Sequence, residues 1–272
     1  MRQRIAYPGI AGSFSYGAAR DAFPGAELIG FEAFRDAAEA ALRQADYALL
    51  PIENSFAGAV QSTYALLDSM LLHIVGEAAR PVRHQLLGLP GATLPGIRRI
   101  TSHPQALAQC DAFLSALKNV QLLPSPNTAI SARQVSESCD PALAAIASTE
   151  AAEAYGLQVL AQDIQTARNN TTRFVILSRR PEPIDLPNKA TVVFRLNHEV
   201  GALARVLLCF AKSGLNLTRI ESRPLPETPF QYFFSADFEG VGDPAVLHAA
   251  IRDAEPYTAS LRLLGLYRKA VC

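Results

Sequence analysis

Small polar side chains follow several of the short apolar segments in the first part of this sequence. Serines follow a glycine-rich turn, an acid–amide–hydroxyl triplet occupies residues 53–55, and hydroxyl or amide residues recur after later apolar runs. At helix N-termini, such side chains and the free backbone N–H groups beside them bind anions, but they also serve as ordinary helix caps. The pattern therefore predicts either a cleft for an anionic ligand or a set of caps. The positions are Ser13, Ser15, Asn54, Ser55, Gly58, Ser102, His103, Gln105, Asn127, Thr128, Ser148 and Thr149.

A second polar segment, Arg168-Asn169-Asn170-Thr171-Thr172-Arg173-Phe174, runs into an apolar strand at residues 175–177. An arginine at a strand edge can make a bidentate bond to a carboxylate, and a neighbouring threonine can donate a hydrogen bond to a leaving oxygen. The alternative is a simple turn before a strand. His103 is similarly open to two interpretations, a proton donor near neutrality or the cap of its helix.

The sequence contains no established cofactor signature. Neither the Gly-x-Gly-x-x-Gly fingerprint nor the phosphate-loop Gly-Lys-Ser/Thr is present, and no metal-ligand cluster or paired carboxylate stands out. Cys110, Cys139, Cys209 and Cys272 are widely spaced, which favours reduced thiols in a cytoplasmic protein over disulfides. We therefore expect neither a metal nor an organic cofactor.

The balance of 25 basic and 25 acidic residues argues against a strongly basic nucleic-acid binder and against an acidic disordered tail. Of the basic residues, 21 are arginine, which reflects either genome composition or recognition of a carboxylate-rich ligand. No apolar stretch near the start has the length of a signal peptide, and none elsewhere is long enough to span a bilayer. A cytoplasmic protein without membrane or nucleic-acid partners is expected.

Short strand patterns alternate with helical patterns up to about residue 180. The strand candidates are residues 5–7, 48–52, 73–76, 100–102, 121–123 and 143–147, and the helical candidates are residues 15–23, 34–43, 60–69, 104–117, 129–138 and 149–155. This alternation predicts an α/β architecture with helices on both faces of a sheet. Ligands of such folds bind at the carboxyl ends of the strands.

Three prolines in residues 181–188 mark a boundary, because proline removes a backbone donor and fixes φ. The chain after residue 188 has a different order of predicted elements. Strands are predicted at residues 190–196, 215–223, 229–238 and 257–267, and helices at residues 201–213 and 243–253. The order βαββαβ predicts a ferredoxin-like domain.

Taken together, the motifs resemble those of the prephenate dehydratase family, in the same order along the chain. They are Pro51-Ile52-Glu53-Asn54-Ser55 with Gly58, Ser102-His103-Pro104-Gln105-Ala106-Leu107, and Asn170-Thr171-Thr172-Arg173-Phe174. The last part resembles an ACT regulatory domain, since Gly201-Ala202-Leu203 and Glu221-Ser222-Arg223-Pro224 are similar to its phenylalanine-binding motifs. The resemblance covers essentially the whole chain. It implies a two-lobed catalytic part of the periplasmic-binding-protein type (type 2) at residues 1–180, with a second lobe at about 77–155, a linker at 181–188 and a ferredoxin-like ACT domain at 189–272.

The resemblance implies conversion of prephenate to phenylpyruvate in phenylalanine biosynthesis, with loss of carbon dioxide and water and without a cofactor. The family's catalytic threonine falls on Thr172. Arg173 is expected to bind a substrate carboxylate, and Phe174 and Phe14 to position the ring, with Phe56 as a further candidate. The other expected substrate-binding residues are Ser13, Ser15, Asn54, Ser55, Gly58, Ser102, His103, Gln105, Thr128, Ser148 and Asn170.

Three segments depart from the family pattern. Tyr16 follows Ser15 where an acidic residue is usual, and Thr166-Ala167-Arg168 stands where two acidic residues are common. Val200 replaces the proline that often precedes Gly201, and because the glycine is retained we expect the effector site to survive.

The implied effector is phenylalanine, held by Asn197, Gly201, Ala202, Leu203, Asn216, Glu221, Ser222, Arg223 and Pro224. Exposed strand edges invite pairing, so a homodimer or homotetramer is expected. Two alternatives stay open: arogenate dehydratase, with the same chemistry on a substrate that carries an amino group, and a non-catalytic amino-acid sensor. The intact Asn-x-Thr-Arg-Phe motif argues against the sensor.

Overall fold

The computed structural model describes residues 2–225 and 231–270. Its strands are β1 (Arg4–Pro8), β2 (Glu27–Phe31), β3 (Tyr47–Asn54), β4 (Gly58–Ala59), β5 (His73–Pro81), β6 (Gln85–Gly88), β7 (Arg99–Ser102), β8 (Gln121–Pro124), β9 (Leu143–Ala147), β10 (Gln158–Ala161), β11 (Thr171–Ser178), β12 (Lys189–Leu196), β13 (Asn216–Pro224), β14 (Tyr232–Glu239) and β15 (Thr258–Tyr267). Its α-helices are α1 (Phe14–Ala22), α2 (Phe34–Arg43), α3 (Gln61–Ser69), α4 (Pro104–Gln109), α5 (Asp111–Ser115), α6 (Thr128–Ser138), α7 (Thr149–Tyr155), α8 (Ala202–Lys212) and α9 (Pro244–Ala254).

Two sheets make up the part before the prolines, and each belongs to one lobe. The first has strand order β2-β1-β3-β11-β5, with β4 added to β3, and the second has order β10-β6-β9-β7-β8. The chain passes between the lobes twice, from β5 to β6 and from β10 to β11. The carboxyl ends of β1 and β3 in one lobe, and of β7, β8 and β9 in the other, carry the polar segments that the sequence singles out.

Several predicted boundaries are wrong. The second lobe runs from β6 to β10 rather than over residues 77–155, because residues 77–81 pair with β11 in the first sheet and β10 pairs with β6. The helix predicted at 104–117 divides at Cys110 into α4 and α5. The strands β2, β6 and β10 were not predicted, and β11 begins at Thr171, inside the segment considered as a turn.

The last part of the chain has the predicted order of elements, with a four-stranded antiparallel sheet of order β13-β14-β12-β15. Helices α8 and α9 pack on one face through a core that includes Phe194, Val206, Phe210 and Phe238. The strand predicted to begin at Pro229 starts at Tyr232 in the described part of the chain. Residues 226–230 and Cys272 lie outside the described residues.

The other face of this sheet is covered by the first lobe. Val193, Phe233, Leu264 and Tyr267 belong to the same apolar cluster as Tyr64 of α3 and its neighbours. A Cβ atom at position 265 would overlap the carbonyl oxygen of Ile74, so glycine permits close approach of β15 to β5. The two domains therefore share one hydrophobic core across their boundary.

Candidate active site

A cavity of about 270 Å³ lies between the two lobes, where the polar strand ends meet. Seven of the site residues expected from the family resemblance line it: Phe14, Asn54, His103, Gln105, Thr128, Asn170 and Thr172. The remaining lining residues are Ala57, Val60, Val82, His84, Ala106, Gln109 and Asn127. The fold thus gathers side chains from segments more than 100 residues apart into one cleft.

The hydrogen bonds around Asn54 determine whether the Thr172 hydroxyl accepts or donates a hydrogen bond. Asn54 Oδ1 accepts hydrogen bonds from the backbone N–H groups of Phe56 (3.1 Å) and Ala57 (2.9 Å), which fixes the orientation of the amide. Asn54 Nδ2 therefore donates to Thr172 Oγ1 at 3.0 Å. Since the threonine oxygen already accepts this bond, its own proton is free to be donated into the cleft.

Neutral groups dominate the electrostatics of this cavity. Among the described residues, no lysine, arginine, aspartate or glutamate lines it. Asn127 caps α6 by accepting from Ile130 N at 2.8 Å, and the adjacent Thr128 lines the cavity at the positive end of that helix. His103 Nδ1 caps α4 by accepting from Gln105 N at 3.2 Å. Such a cleft favours an anion through dipoles and N–H groups rather than through a cation.

Several of the predicted hydroxyl residues have partners within the protein. Ser13 caps α1 by accepting from Tyr16 N. Ser102 is fully buried and donates to Ile146 O at 2.7 Å, and Ser148 donates to Gly12 O at 2.7 Å while capping α7. Ser13, Ser15, Ser55, Gly58, Ser102 and Ser148 do not line the cavity.

Arg173 and Phe174 also lie outside the cavity, for two different reasons. Alternation along β11 directs Arg173 to the face opposite Thr172, where Glu53, Glu77 and Asp237 surround its guanidinium. Phe174 is buried beneath α1, in a cluster with Tyr7. The structure thus corrects the expectation that these two side chains face the substrate cleft.

Polar contacts hold the two lobes together beside the cleft. Glu150, at the start of α7, accepts from Arg80 of β5 and from Arg20 of α1, the latter at 3.0 Å. Burial alone would raise the pKa of Glu150, but its own backbone N–H and these two arginines outweigh burial and lower the pKa. Gly12 lies so close to α7 that a Cβ there would be 2.6 Å from the Cα of Ala151.

A second, larger cavity of about 1080 Å³ lies in the C-terminal domain, between the start of α8 and the sheet. Four of the predicted effector residues line it, namely Asn197, Gly201, Ala202 and Leu203. Gly201 adopts a left-handed φ of 77° at the N-terminus of α8, and Val200 is exposed. The remaining predicted residues, Asn216, Glu221, Ser222, Arg223 and Pro224, lie on β13 and do not line it.

Comparison with known proteins supplies the family. The family model described as prephenate dehydratase matches residues 5–182. The chain belongs to the prephenate dehydratase family. Arogenate dehydratase/prephenate dehydratase 2, chloroplastic, of Arabidopsis thaliana is 42% identical over 282 residues, which are 98% of this chain and 73% of that relative.

Two solved structures resemble the chain over almost its whole length. Prephenate dehydratase from Arthrobacter aurescens, described as a complex with L-Phe, has a TM-score of 0.88 at 34% identity and covers 97% of this chain and 90% of that one. A protein described as a novel type of quorum quenching acylase has a TM-score of 0.89 at 36% identity and covers 98% of both chains. The predicted fold class, a two-lobed α/β part followed by a βαββαβ domain, is confirmed.

Within the part of the chain that the structure describes, no helix is both long and apolar enough to cross a bilayer. Nor do these residues contain a cluster of three or more histidine, cysteine, aspartate or glutamate side chains suited to a metal ion.

For this member of the prephenate dehydratase family, the sequence interpretation missed His84 and Gln109 of the cavity. His84 precedes the four-residue strand β6, which is too short to stand out among apolar runs. It lies well beyond the strand predicted at residues 73–76, because β5 extends to Pro81. Gln109 ends α4, and its helical spacing of four from Gln105 was the available signal. Burial lowers the pKa of His84, against the opposing effect of its hydrogen bond to Gln109.

Proposed function

We propose that this chain converts prephenate to phenylpyruvate by decarboxylating dehydration. The observation that carries the proposal is the Thr172 hydroxyl, which accepts from Asn54 at 3.0 Å and keeps its proton available in the cleft between the lobes. A hydrogen-bond donor is what the departing ring hydroxyl requires.

In this reaction the ring carboxylate leaves as carbon dioxide. The electron pair of the broken C–C bond moves through the ring and expels the hydroxyl group at the opposite ring carbon, which leaves with its electron pair and takes a proton to become water. Aromaticity drives the step. Thr172 donates a hydrogen bond to the departing oxygen, and oriented donation in the cleft stabilises the developing charge. A threonine hydroxyl is too weak an acid for complete proton transfer, so the final proton comes from solvent.

Prephenate is a dianion, and the cavity supplies neutral donors for it. The start of α6 at Thr128, together with Gln105 and His103, offers N–H groups and a helix dipole to the carboxylates. Phe14 supplies an apolar surface for the ring. A neutral site suits a substrate that must lose one of its charges, because a tight salt bridge to the departing carboxylate would stabilise the ground state.

Arogenate is the alternative substrate, and the Arabidopsis relative carries both names. The two substrates differ in a keto oxygen against an amino group. The decisive experiment compares steady-state kcat/KM for prephenate and arogenate with the same purified chain. Higher kcat/KM with prephenate supports the proposal, and turnover of arogenate alone reassigns the substrate. Turnover of neither substrate, with retained binding of an amino acid, supports the sensor alternative.

The same experiment also measures hydrolysis of an N-acyl amide substrate, because a structure with 36% identity is described as a quorum quenching acylase. Acyl-amide hydrolysis requires an activated nucleophile. The Thr172 hydroxyl has an amide, Asn54, as its hydrogen-bond partner rather than an imidazole or amine base. We therefore expect dehydration to exceed hydrolysis of an N-acyl amide substrate.

We infer that the C-terminal domain is an ACT domain that binds phenylalanine as a feedback effector. The cavity at Gly201, Ala202 and Leu203 supports this role, because apolar side chains line it together with polar ones such as Asn197 and Glu199. The Arthrobacter structure is described as a complex with L-Phe. Phenylalanine is expected to lower the rate of phenylpyruvate formation. A rate that is unchanged at saturating phenylalanine would contradict the assignment.

A homodimer or homotetramer completes the proposal. Within residues 2–225 and 231–270, strand β13 lies at the edge of its sheet and pairs only with β14, and Ile220 is exposed there. Pairing of two such edges brings the Glu221–Pro224 motif of each chain to a junction between subunits. Light scattering of the purified protein tests the assembly. We place the enzyme in the cytoplasm, which fractionation of the source cells would check.

A further inference from the structure

His84 lies where the two chain segments that connect the lobes meet. Its backbone N–H donates to the side chain of Gln165 at 2.8 Å, and its carbonyl accepts from Ile164 N at 2.9 Å. Both partners precede β11 in the second connection, whereas His84 belongs to the first. The imidazole packs edge-on against Phe14, and only 2% of the residue is exposed. Its position is therefore fixed by both connections.

A continuous chain of side-chain hydrogen bonds joins His84 to Thr172. His84 Nε2 lies 2.8 Å from Gln109 Oε1, and Asn170 Nδ2 donates to the same oxygen at 3.2 Å. Asn54 Nδ2 donates to Asn170 Oδ1 at 2.7 Å and to Thr172 Oγ1 at 3.0 Å. Gln109 belongs to the second lobe and Asn54 to the first, so the chain of bonds crosses the cleft.

The direction of every bond in this chain follows from the two backbone N–H groups that fix Asn54. Because Asn54 presents its Nδ2 to Asn170, Asn170 must present its Oδ1 there and its Nδ2 to Gln109. Gln109 Oε1 is then an acceptor for both neighbours, which requires His84 to donate from Nε2. The neutral imidazole consequently carries its proton on Nε2 and not on Nδ1.

We propose, on the basis of the function proposed above, that His84 is a positioning residue for the reaction: as the Nε2–H tautomer it orients Gln109 and, through Asn170 and Asn54, keeps the Thr172 hydroxyl a donor toward the cleft. Without the His84 donor, the Gln109 amide can rotate and present its NH₂ group to Asn170. That rotation would disturb the order of donors and acceptors up to Thr172. Nδ1 of His84 has no partner among the described residues, and burial lowers the pKa of the imidazole, so the ring remains neutral.

Two substitutions separate the effect of the Nε2–H donor from the effect of side-chain size. His84→Gln places an amide NH₂ near the original Nε2 and keeps a donor to Gln109, whereas His84→Met has similar length and no donor. We expect His84→Met to lower kcat by about 10- to 100-fold with little change in KM, the size of effect typical of an outer hydrogen bond that orients a reacting group. His84→Gln should retain most of the kcat. The control His248→Met lies on the exposed surface of α9 and should behave as the unsubstituted enzyme.

Equal loss in His84→Met and His84→Gln would overturn the proposal, and so would a raised KM at unchanged kcat, which would indicate direct contact with the substrate. If His84→Met does not fold, His84→Asn replaces it, since its shorter amide does not reach Gln109. A double-mutant cycle tests the route: in a Thr172→Val background, His84→Met should cost little further activity. If the losses of kcat in the two single variants instead multiply in the double variant, His84 does not act through Thr172.

The tautomer can be measured without any assay of activity. A long-range ¹H–¹⁵N spectrum of the ¹⁵N-histidine-labelled protein, with the signals of His84 identified by their loss in His84→Gln, should show the proton on Nε2. Protonation on Nδ1 would refute the hydrogen-bond chain even if the enzyme is an active dehydratase. Inactivity toward both substrates, with the Nε2–H tautomer present, would instead refute only the proposed function.

Discussion

The guanidinium of Arg173 lies 2.9 Å from the carboxylate of Asp237, and this pair joins the strand of Thr172 to the sheet of the C-terminal domain. Asp237 is almost fully buried and is also bound by Arg219 at 2.7 Å. Glu77, on β5, contacts both Arg173 and Lys189 of β12. The residue next to the proposed hydrogen-bond donor therefore belongs to the domain junction. A displacement of β14 or β12 would reach β11 through these bonds.

Thr172→Ala should lower kcat by roughly 10²- to 10³-fold, the loss typical of one donor to a developing oxyanion. The reason is that the departing hydroxyl then has no oriented donor, while Asn54 and the rest of the cleft remain. Phenylpyruvate formation from prephenate measures the effect. Thr171→Ala is the matched control, because its side chain does not line the cavity. Near-normal turnover by Thr172→Ala would remove Thr172 from the mechanism.

Arg173→Met should act mainly on stability, lowering the free energy of unfolding by about 3 kcal/mol, since it leaves buried carboxylates with fewer partners. Arg173→Lys should also be damaging, because an ammonium cannot replace the contacts of the guanidinium with Glu53, Glu77 and Asp237. Urea unfolding measures both. Arg83→Met breaks an exposed pair with Asp163 and should cost under about 1 kcal/mol. Unaltered stability with a strongly raised KM would favour a direct contact between Arg173 and substrate.

Acid should weaken the fold through Asp237. Burial alone would raise its pKa, but Arg219, Arg173 and Lys189 hold the pKa well below the ordinary value of 3.8. A carboxylate with a lowered folded-state pKa contributes stability that is complete above the unfolded-state pKa and is lost as pH falls toward the folded-state pKa. Unfolding free energies measured from pH 7 down to pH 3 should therefore fall at the acidic end, and Asp237→Asn should flatten that slope. An unchanged slope in Asp237→Asn would assign the acid sensitivity to other groups.

Gly12→Ala should reduce both stability and activity, because the added Cβ would meet α7 of the other lobe. Gly25→Ala separates this clash from backbone strain, since both glycines have φ of +80° and a Cβ at Gly25 would have no atom of the described residues within 4 Å. Strain alone costs about 1–2 kcal/mol at such a position. Urea unfolding and steady-state kinetics of the two variants give the comparison. Equal losses in both would mean that the contact between the lobes is unimportant for turnover.

Ala204→Phe should abolish or weaken the response to phenylalanine. Ala204 is exposed and lines the C-terminal cavity, so a large side chain there would occupy the effector volume without overpacking the core. Rates at increasing phenylalanine measure the response, with Val246→Phe on α9 as control. A normal response in Ala204→Phe would place the effector elsewhere. This point substitution is preferable to removal of the domain, because Phe233 and Tyr267 share a core with the first lobe.

Strong periodic segments were predictable from the sequence, and irregular ones were not. Helix α2 was predicted with its observed bounds, because its four buried alanines recur with helical spacing. The break at Cys110 arises where a local 3₁₀-type bond replaces the α-helical one, which periodicity does not reveal. Strand β2 lies at a sheet edge with mixed exposure, so its pattern resembles a loop.

The cleft was partly predictable for the same reason. Asn54 ends β3 and His103 follows β7, and these strands belong to different sheets. Their convergence follows from the two-lobed fold class, in which the carboxyl ends of the strands of both lobes line the cleft. The partner of Arg173 was not predictable, because Asp237 lies 64 residues further along and belongs to a different sheet. The proposed role of His84 was not predictable either, because it depends on contacts with Gln109 and Asn170 that form only in the folded protein.

Gly265 and its close approach to Ile74 bear on how the C-terminal domain can be exchanged in evolution or in the laboratory. A grafted domain with any larger residue at that position would be held away from β5, and one without an acid at Asp237 would leave Arg173 and Arg219 with a missing counter-charge. Chimeras made at residues 181–188 would therefore fail unless the donor carries both features. The C-terminal domain is therefore specific to the first lobe against which it packs.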